Sequence, residues 1–232
     1  MPFEYIWFDL GYTLLYKERE AKFAETLASL GFDVSVEAVD LGFHCIDKLY
    51  MREFPGVLGG RAQDFMPGYM ERLCSRLGLA CDIPSLLGRW DEAWNEPDME
   101  WKAYPFAAPT LETLKGMGYR LGVISNWDPS AKPILRRCGL AAFFEQIIVS
   151  CEVGAQKPDR RIFDIALKAS GADPSRCLYV GDNYYDDAVG SASAGMECLI
   201  VNRFGSFGVE ELKDVGIIRD IGELPAILGA KP

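Results

Sequence analysis

The chain opens on four bulky apolar residues in a row, Tyr5-Ile6-Trp7-Phe8. Such a run reads as a strand buried on both faces, as in a parallel sheet. Asp9 stands where the run ends and Gly11 opens a turn. One carboxylate is thereby placed at the carboxyl edge of a sheet, where open α/β sheets bind their ligands. The period then changes. Apolar residues recur at helical spacing over 17–30, 35–54, 61–77 and 83–95, punctuated by Gly31, a glycine-rich stretch at 56–60 and Gly78. From Tyr104-Pro105 onward, strands and helices alternate. The pattern predicts helices over 110–117, 130–138, 159–170 and 185–194, with strands over 120–124, 146–149, 177–180 and 197–201. Alternation of this kind predicts a doubly wound parallel sheet with right-handed crossovers. The expected organisation is an α/β core made of residues 1–15 and 103–232, split by an all-helical insert over 16–102.

Composition narrows the class. The net charge is −10 and no Lys/Arg cluster occurs, which argues against nucleic acid and anionic membranes, whose binding rests on neutralised phosphates. No apolar run approaches the ~18 residues of a membrane helix. The first strand begins almost at once, so a signal peptide is not expected. Seven cysteines with no C-x-x-C pair read as reduced thiols, which suggests a cytoplasmic protein. With His44 the only histidine, a zinc site is not expected. Trp90, Trp94 and Trp101 near the end of the insert are read first as helix packing.

Polar residues recur at the strand ends: Asp9, Ser125-Asn126, the loop around Lys157, and Asp182 with Asp186 and Asp187. In a parallel sheet these ends share one edge, so distant residues can meet there. The set suits phosphoryl transfer. Clustered carboxylates call for a divalent cation, and all-oxygen ligands suit Mg²⁺. A carboxylate can act as nucleophile through a covalent intermediate. A serine hydroxyl, backbone N–H groups and a lysine ammonium can offset the charge of the transferring group.

With these residues in view, the sequence resembles the haloacid dehalogenase superfamily of hydrolases. The likeness is carried by Phe8-Asp9-Leu10-Gly11-Tyr12-Thr13-Leu14, Val123-Ile124-Ser125-Asn126, Gly154-Ala155-Gln156-Lys157-Pro158-Asp159 with Ile162-Phe163, and Val180-Gly181-Asp182-Asn183-Tyr184-Tyr185-Asp186-Asp187. The resemblance implies a Rossmann-like core, a helical cap inserted after the first strand, and a Mg²⁺-dependent phosphohydrolase acting on a small phosphorylated metabolite. It makes Asp9 the nucleophile that forms an aspartyl-phosphate. Asp9, the Gly11 carbonyl and Asp182 would hold the metal, with Asp187 or Asp186 in support. Ser125, with Asn126 beside it, would bind the phosphoryl group, and Lys157 would neutralise both Asp9 and that group.

One position departs from the family pattern. Its phosphatases usually carry a second aspartate two residues after the nucleophile, as general acid and base, and here Gly11 stands there. Positioned proton transfer is typically worth ~10²–10⁴-fold. Three outcomes follow: another group or water, with Tyr12 adjacent, moves the proton; the substrate has a leaving group that needs little protonation, such as an acyl phosphate or a sugar-1-phosphate; or turnover is weak. The departure also leaves two alternatives, a metal-independent 2-haloacid dehalogenase and a catalytically weak relative that serves as a binding protein. Substrate selection is expected from insert residues such as Tyr50, Arg52, Arg61 and Trp94.

Overall fold

The computed structural model describes residues 3–229. The chain divides into two compact units, one running up to Tyr16 and resuming at Lys102, the other spanning Lys17–Trp101.

The second unit is built from helices α1 (Arg19–Ser29), α2 (Val36–Glu53), α3 (Ala62–Arg76) and α4 (Ile83–Trp94). Their starts are set locally. The Ser35 hydroxyl accepts from Ala38 N–H, and the Asp82 carboxylate accepts from Ser85 N–H, each satisfying a donor the helix leaves open. The apolar stripes meet in one core around Phe23, Leu27, Phe43, Met70, Leu73 and Trp90. Trp90 sits edge-on to Phe23 at 5.1 Å between ring centroids, so this indole is packing.

The first unit is the α/β part. Its strands are β1 (Tyr5–Phe8), β2 (Leu15–Tyr16), β3 (Lys102–Ala103), β4 (Arg120–Ser125), β5 (Gln146–Val149), β6 (Cys177–Gly181), β7 (Glu197–Val201) and β8 (Gly216–Ile218). Six of them form one parallel sheet in the order β5-β4-β1-β6-β7-β8. Helices α5 (Ala107–Gly116), α6 (Ala131–Arg137), α7 (Ser150–Val153), α8 (Arg160–Ser170), α9 (Val189–Ser193) and α10 (Leu224–Gly229) follow the strands. This is the doubly wound arrangement that the alternating pattern predicts. β2 and β3 pair antiparallel, so the two points where the chain leaves and rejoins this unit lie side by side.

Three differences from the predicted elements have physical reasons. β8 is only three residues long and begins with a glycine, too short for an apolar pattern to announce. The region predicted as one helix over 185–194 begins with a wide π-helical turn, Tyr184–Ala188, before α9 takes over. The predicted start at Thr110 moves back to Ala107, because Pro109 falls in the first turn, where its missing N–H has no role.

The centre of the sheet explains one glycine. Tyr5 and Trp7 lie on one face of β1 with rings stacked at 4.5 Å, and Trp7 is in register with Gly122 of β4. A Cβ at Gly122 would meet the Trp7 ring at 2.4 Å and Tyr5 at 2.8 Å. Gly122→Ala should therefore cost about 1–3 kcal/mol, the usual penalty of overpacking a core. Urea unfolding would show this as a lower midpoint; an unchanged midpoint would mean that the two rings yield without cost.

Candidate active site

The carboxyl edge of the sheet gathers the polar residues. β1 delivers Asp9, whose N–H continues the ladder to the Val180 carbonyl at 2.9 Å. The chain then wraps tightly: the Leu10 carbonyl accepts from the N–H groups of Leu14 and Leu15, both at 2.9 Å. In this turn Tyr12 has φ 53°, the one non-glycine residue with positive φ among those described. Gly11, next to it, does not use that region.

β4 ends at Ser125, whose hydroxyl donates to Asp9 Oδ1 at 2.8 Å. The Lys157 ammonium donates to the same oxygen at 2.8 Å, to Asp187 Oδ1 at 2.5 Å and to the Tyr179 hydroxyl at 3.0 Å. Asp9 Oδ2 accepts no hydrogen bond among the described residues, which leaves its lone pairs available. Asn126 does something other than sit beside Ser125. Its Oδ1 accepts from Lys157 N–H at 2.7 Å, and its Nδ2 donates to the Lys157 carbonyl at 2.9 Å. The amide is thus engaged at both ends in clamping the lysine backbone.

The loop after β6 holds the acidic residues. Asp187 Oδ2 accepts from Asn183 N–H at 2.9 Å, and Asp186 Oδ2 accepts from Asn183 Nδ2 at 3.1 Å. An added Cβ at Gly181 would lie 2.2 Å from Asp187 Oδ2, so only glycine lets that carboxylate lie against the strand end. Asp9, Asp182 and Asp187 each present an oxygen within 4.8 Å of the others. Asp186 Oδ1 is buried with no hydrogen-bond partner among the described residues. A cluster of hard oxygen ligands with a buried acceptor left over fits a divalent cation such as Mg²⁺.

Electrostatics here is a contest between burial and pairing. Burial works against charge on Lys157, but the Asp187 and Asp9 carboxylates outweigh it and hold the ammonium well above the ordinary lysine value. Burial raises the Asp187 carboxyl against the opposing pull of Lys157. Burial also pushes Asp186 up to about 7, opposed by Lys157 and reinforced by Asp187 and Asp9. The Tyr179 phenol is held well above its usual value, chiefly by burial, and stays protonated.

Sequence reading misses Tyr179 as a member of this cluster and quotes Gly181 and Asn183 in a motif without giving them these roles. A tyrosine inside a strand buried on both faces was the available signal, since its hydroxyl must find a partner. Two residues expected to select substrate have other partners. Tyr50 is buried among Phe54, Phe65 and Tyr69, and Arg61 pairs with Asp64 on an exposed face.

Lys157→Met would leave Asp9 and Asp187 buried without this cation, at a cost of roughly 3–5 kcal/mol near neutral pH in metal-free buffer. The raised Asp187 carboxyl makes folding bind a proton, so stability rises as pH falls through its folded value. Part of the deficit should therefore be recovered between pH 7 and pH 5. Urea titrations of variant and parent across that range give the answer, and a deficit that ignores pH would contradict the pairing.

Comparison with known proteins agrees with this geometry. A family model described as haloacid dehalogenase-like hydrolase matches residues 91–195. The chain is 37% identical over 138 residues to a glyceraldehyde 3-phosphate phosphatase of Methanothermobacter thermautotrophicus, spanning 55% of this chain and 59% of that protein. It is 28% identical to haloacid dehalogenase-like hydrolase domain-containing protein 3 of Danio rerio, over 98% of this chain and 97% of that one. The HAD-hydrolase YfnB of Bacillus subtilis, solved with magnesium, has the same fold, with a TM-score of 0.68 at 20% identity and coverage of 99% and 100%. In its sheet, its carboxyl-edge cluster and these likenesses, the chain resembles the haloacid dehalogenase-like hydrolases.

Proposed function

We propose that this hydrolase is a Mg²⁺-dependent phosphatase acting on a small phosphorylated metabolite through an aspartyl-phosphate on Asp9. The observation that carries the reading is Asp9 itself: Oδ1 is held by Ser125 and Lys157 while Oδ2 keeps its lone pairs. An oriented carboxylate of this kind can attack phosphorus and form a covalent intermediate that water later hydrolyses. Bound by Asp9, Asp182, Asp187 and the Gly11 carbonyl, Mg²⁺ would supply positive charge beside the phosphoryl group. Ser125 keeps Asp9 from rotating. Lys157 offsets the charge that an anionic substrate brings next to Asp9 and Asp187. Asn126, with its amide spent on Lys157, contributes to substrate binding by fixing that backbone. The phosphatase named among the relatives supports the substrate class.

Residues 16–102 are proposed as the cap that covers the substrate, and the protein is proposed to work in the cytoplasm. Gly11 cannot deliver a proton, so acyl and anomeric phosphates should be preferred over alkyl esters. A metal-independent dehalogenase has less support, because Asp182 adds a third carboxylate within 4.8 Å of Asp9 and Asp187. Gly11 is what favours the remaining reading, a ligand-binding relative with little turnover.

Phosphate release from an acyl phosphate, a sugar-1-phosphate and alkyl phosphomonoesters, with halide release from a 2-haloacid beside them, separates these readings. The expected result is Mg²⁺-dependent phosphate release, abolished by EDTA and by Asp9→Asn. A folded Asp9→Asn protein that still released phosphate would remove the covalent mechanism. Gly11→Asp places a carboxyl where the family has its acid, on a backbone outside the left-handed region. It should raise kcat/KM for alkyl esters by roughly 10²-fold while changing the acyl phosphate little. Equal gains on both would show that leaving-group protonation is not what Gly11 lacks.

A further inference from the structure

We propose that Tyr179 is a positioning residue for Lys157, the third fixed point that holds the ammonium between Asp9 and Asp187. The inference rests on the phosphatase reading and adds a residue that none of the sequence motifs includes.

Hydrogen counting carries the argument. A lysine ammonium has three N–H donors and no acceptor. All three are directed, to Asp9 Oδ1 at 2.8 Å, Asp187 Oδ1 at 2.5 Å and Tyr179 Oη at 3.0 Å. A tyrosine hydroxyl has a single hydrogen, and that of Tyr179 goes to the Ile124 carbonyl at 2.8 Å. With its hydrogen committed to β4, the hydroxyl can offer Lys157 only a lone pair, in one direction. Ile124 immediately precedes Ser125, the other donor to Asp9 Oδ1. Both hydrogen bonds on that oxygen are therefore referenced to the end of β4, one directly through Ser125 and one through Tyr179. Without the hydroxyl, only Asp9 opposes the pull of Asp187, whose contact is the shorter of the two carboxylate contacts. The ammonium would drift towards Asp187 and leave Asp9 less well oriented for attack.

The fold contains its own control. Tyr5 also donates its hydroxyl to a β4 carbonyl, Leu121 at 3.2 Å, and is equally buried, but it takes no part in the lysine cluster. Tyr179→Phe and Tyr5→Phe each delete one buried hydroxyl and keep the ring. Both should melt at a lower temperature than the parent. Only Tyr179→Phe should lose kcat, by roughly 10–100-fold, the scale of a small misplacement of reacting groups, with KM within about twofold. Retention of kcat in Tyr179→Phe, or an equal loss in Tyr5→Phe, overturns the proposal. Should Tyr179→Phe fail to fold, the ammonium can be read in the parent protein. Its ¹⁵N resonance, assigned by its loss in Lys157→Met, should show slowly exchanging protons, and fast exchange overturns the proposal. Wild-type activity that Asp9→Asn abolishes, with Tyr179→Phe unimpaired, rejects this inference alone. A wild-type protein that releases no phosphate from the acyl phosphate, the sugar-1-phosphate or the alkyl esters overturns the phosphatase reading and this inference with it.

Discussion

A buried ammonium shared by two carboxylates is the interaction on which the rest of the α/β unit depends. Lys157 is 3% exposed and Asp187 fully buried, so neither charge is compensated by bulk water. Taking such ions out of water costs several kcal/mol each even after relaxation, and mutual attraction offsets this only when the remaining donors and acceptors are also satisfied. The neighbourhood meets that condition: the ammonium has three acceptors, Asn126 brackets the lysine backbone, and Asn183 N–H serves Asp187. The sheet makes the arrangement affordable. Parallel strands end along one edge, where the backbone leaves the ladder and its polar groups turn to serve side chains.

Asp186 shows the limit of that satisfaction. Its Oδ1 is buried with no partner among the described residues, and burial pushes its carboxyl up to about 7. Buried polar atoms without partners are uncommon in folded proteins and tend to mark places where another group belongs. Asp9, Asp182 and Asp187 beside it form the group of carboxylates that could hold a cation.

The turn after Asp9 concentrates a second tension. Tyr12 occupies a left-handed conformation that costs an ordinary residue about 1–2 kcal/mol, while the adjacent Gly11 has no need of it. The glycine is therefore not explained by a positive φ. Its effect is chemical: it removes a side chain from the position two residues after the nucleophile.

The sequence alone determined the architecture and which charged residues stand at strand ends along the polar edge. Apolar runs, helical spacing and their alternation specify which segments are strands, and β1, β4, β5, β6 and β7 all appear where those runs stand. Asp9, Ser125 and Asp182 are legible because each ends such a run, and strand ends in a parallel sheet share an edge by construction. Which atoms meet there was decided only in three dimensions. Asp9 and Lys157 lie 148 positions apart, and Lys157 reaches Asp187 rather than Asp186 because the wide turn at Tyr184–Ala188 presents that carboxylate to it. Tyr179 reads along the chain as one more apolar strand residue; its hydroxyl acquires a role only when β4 and the Lys157 loop are brought against it. Local pattern places a residue at an edge, but side-chain rotation and loop shape, set by contacts between distant segments, choose its partners.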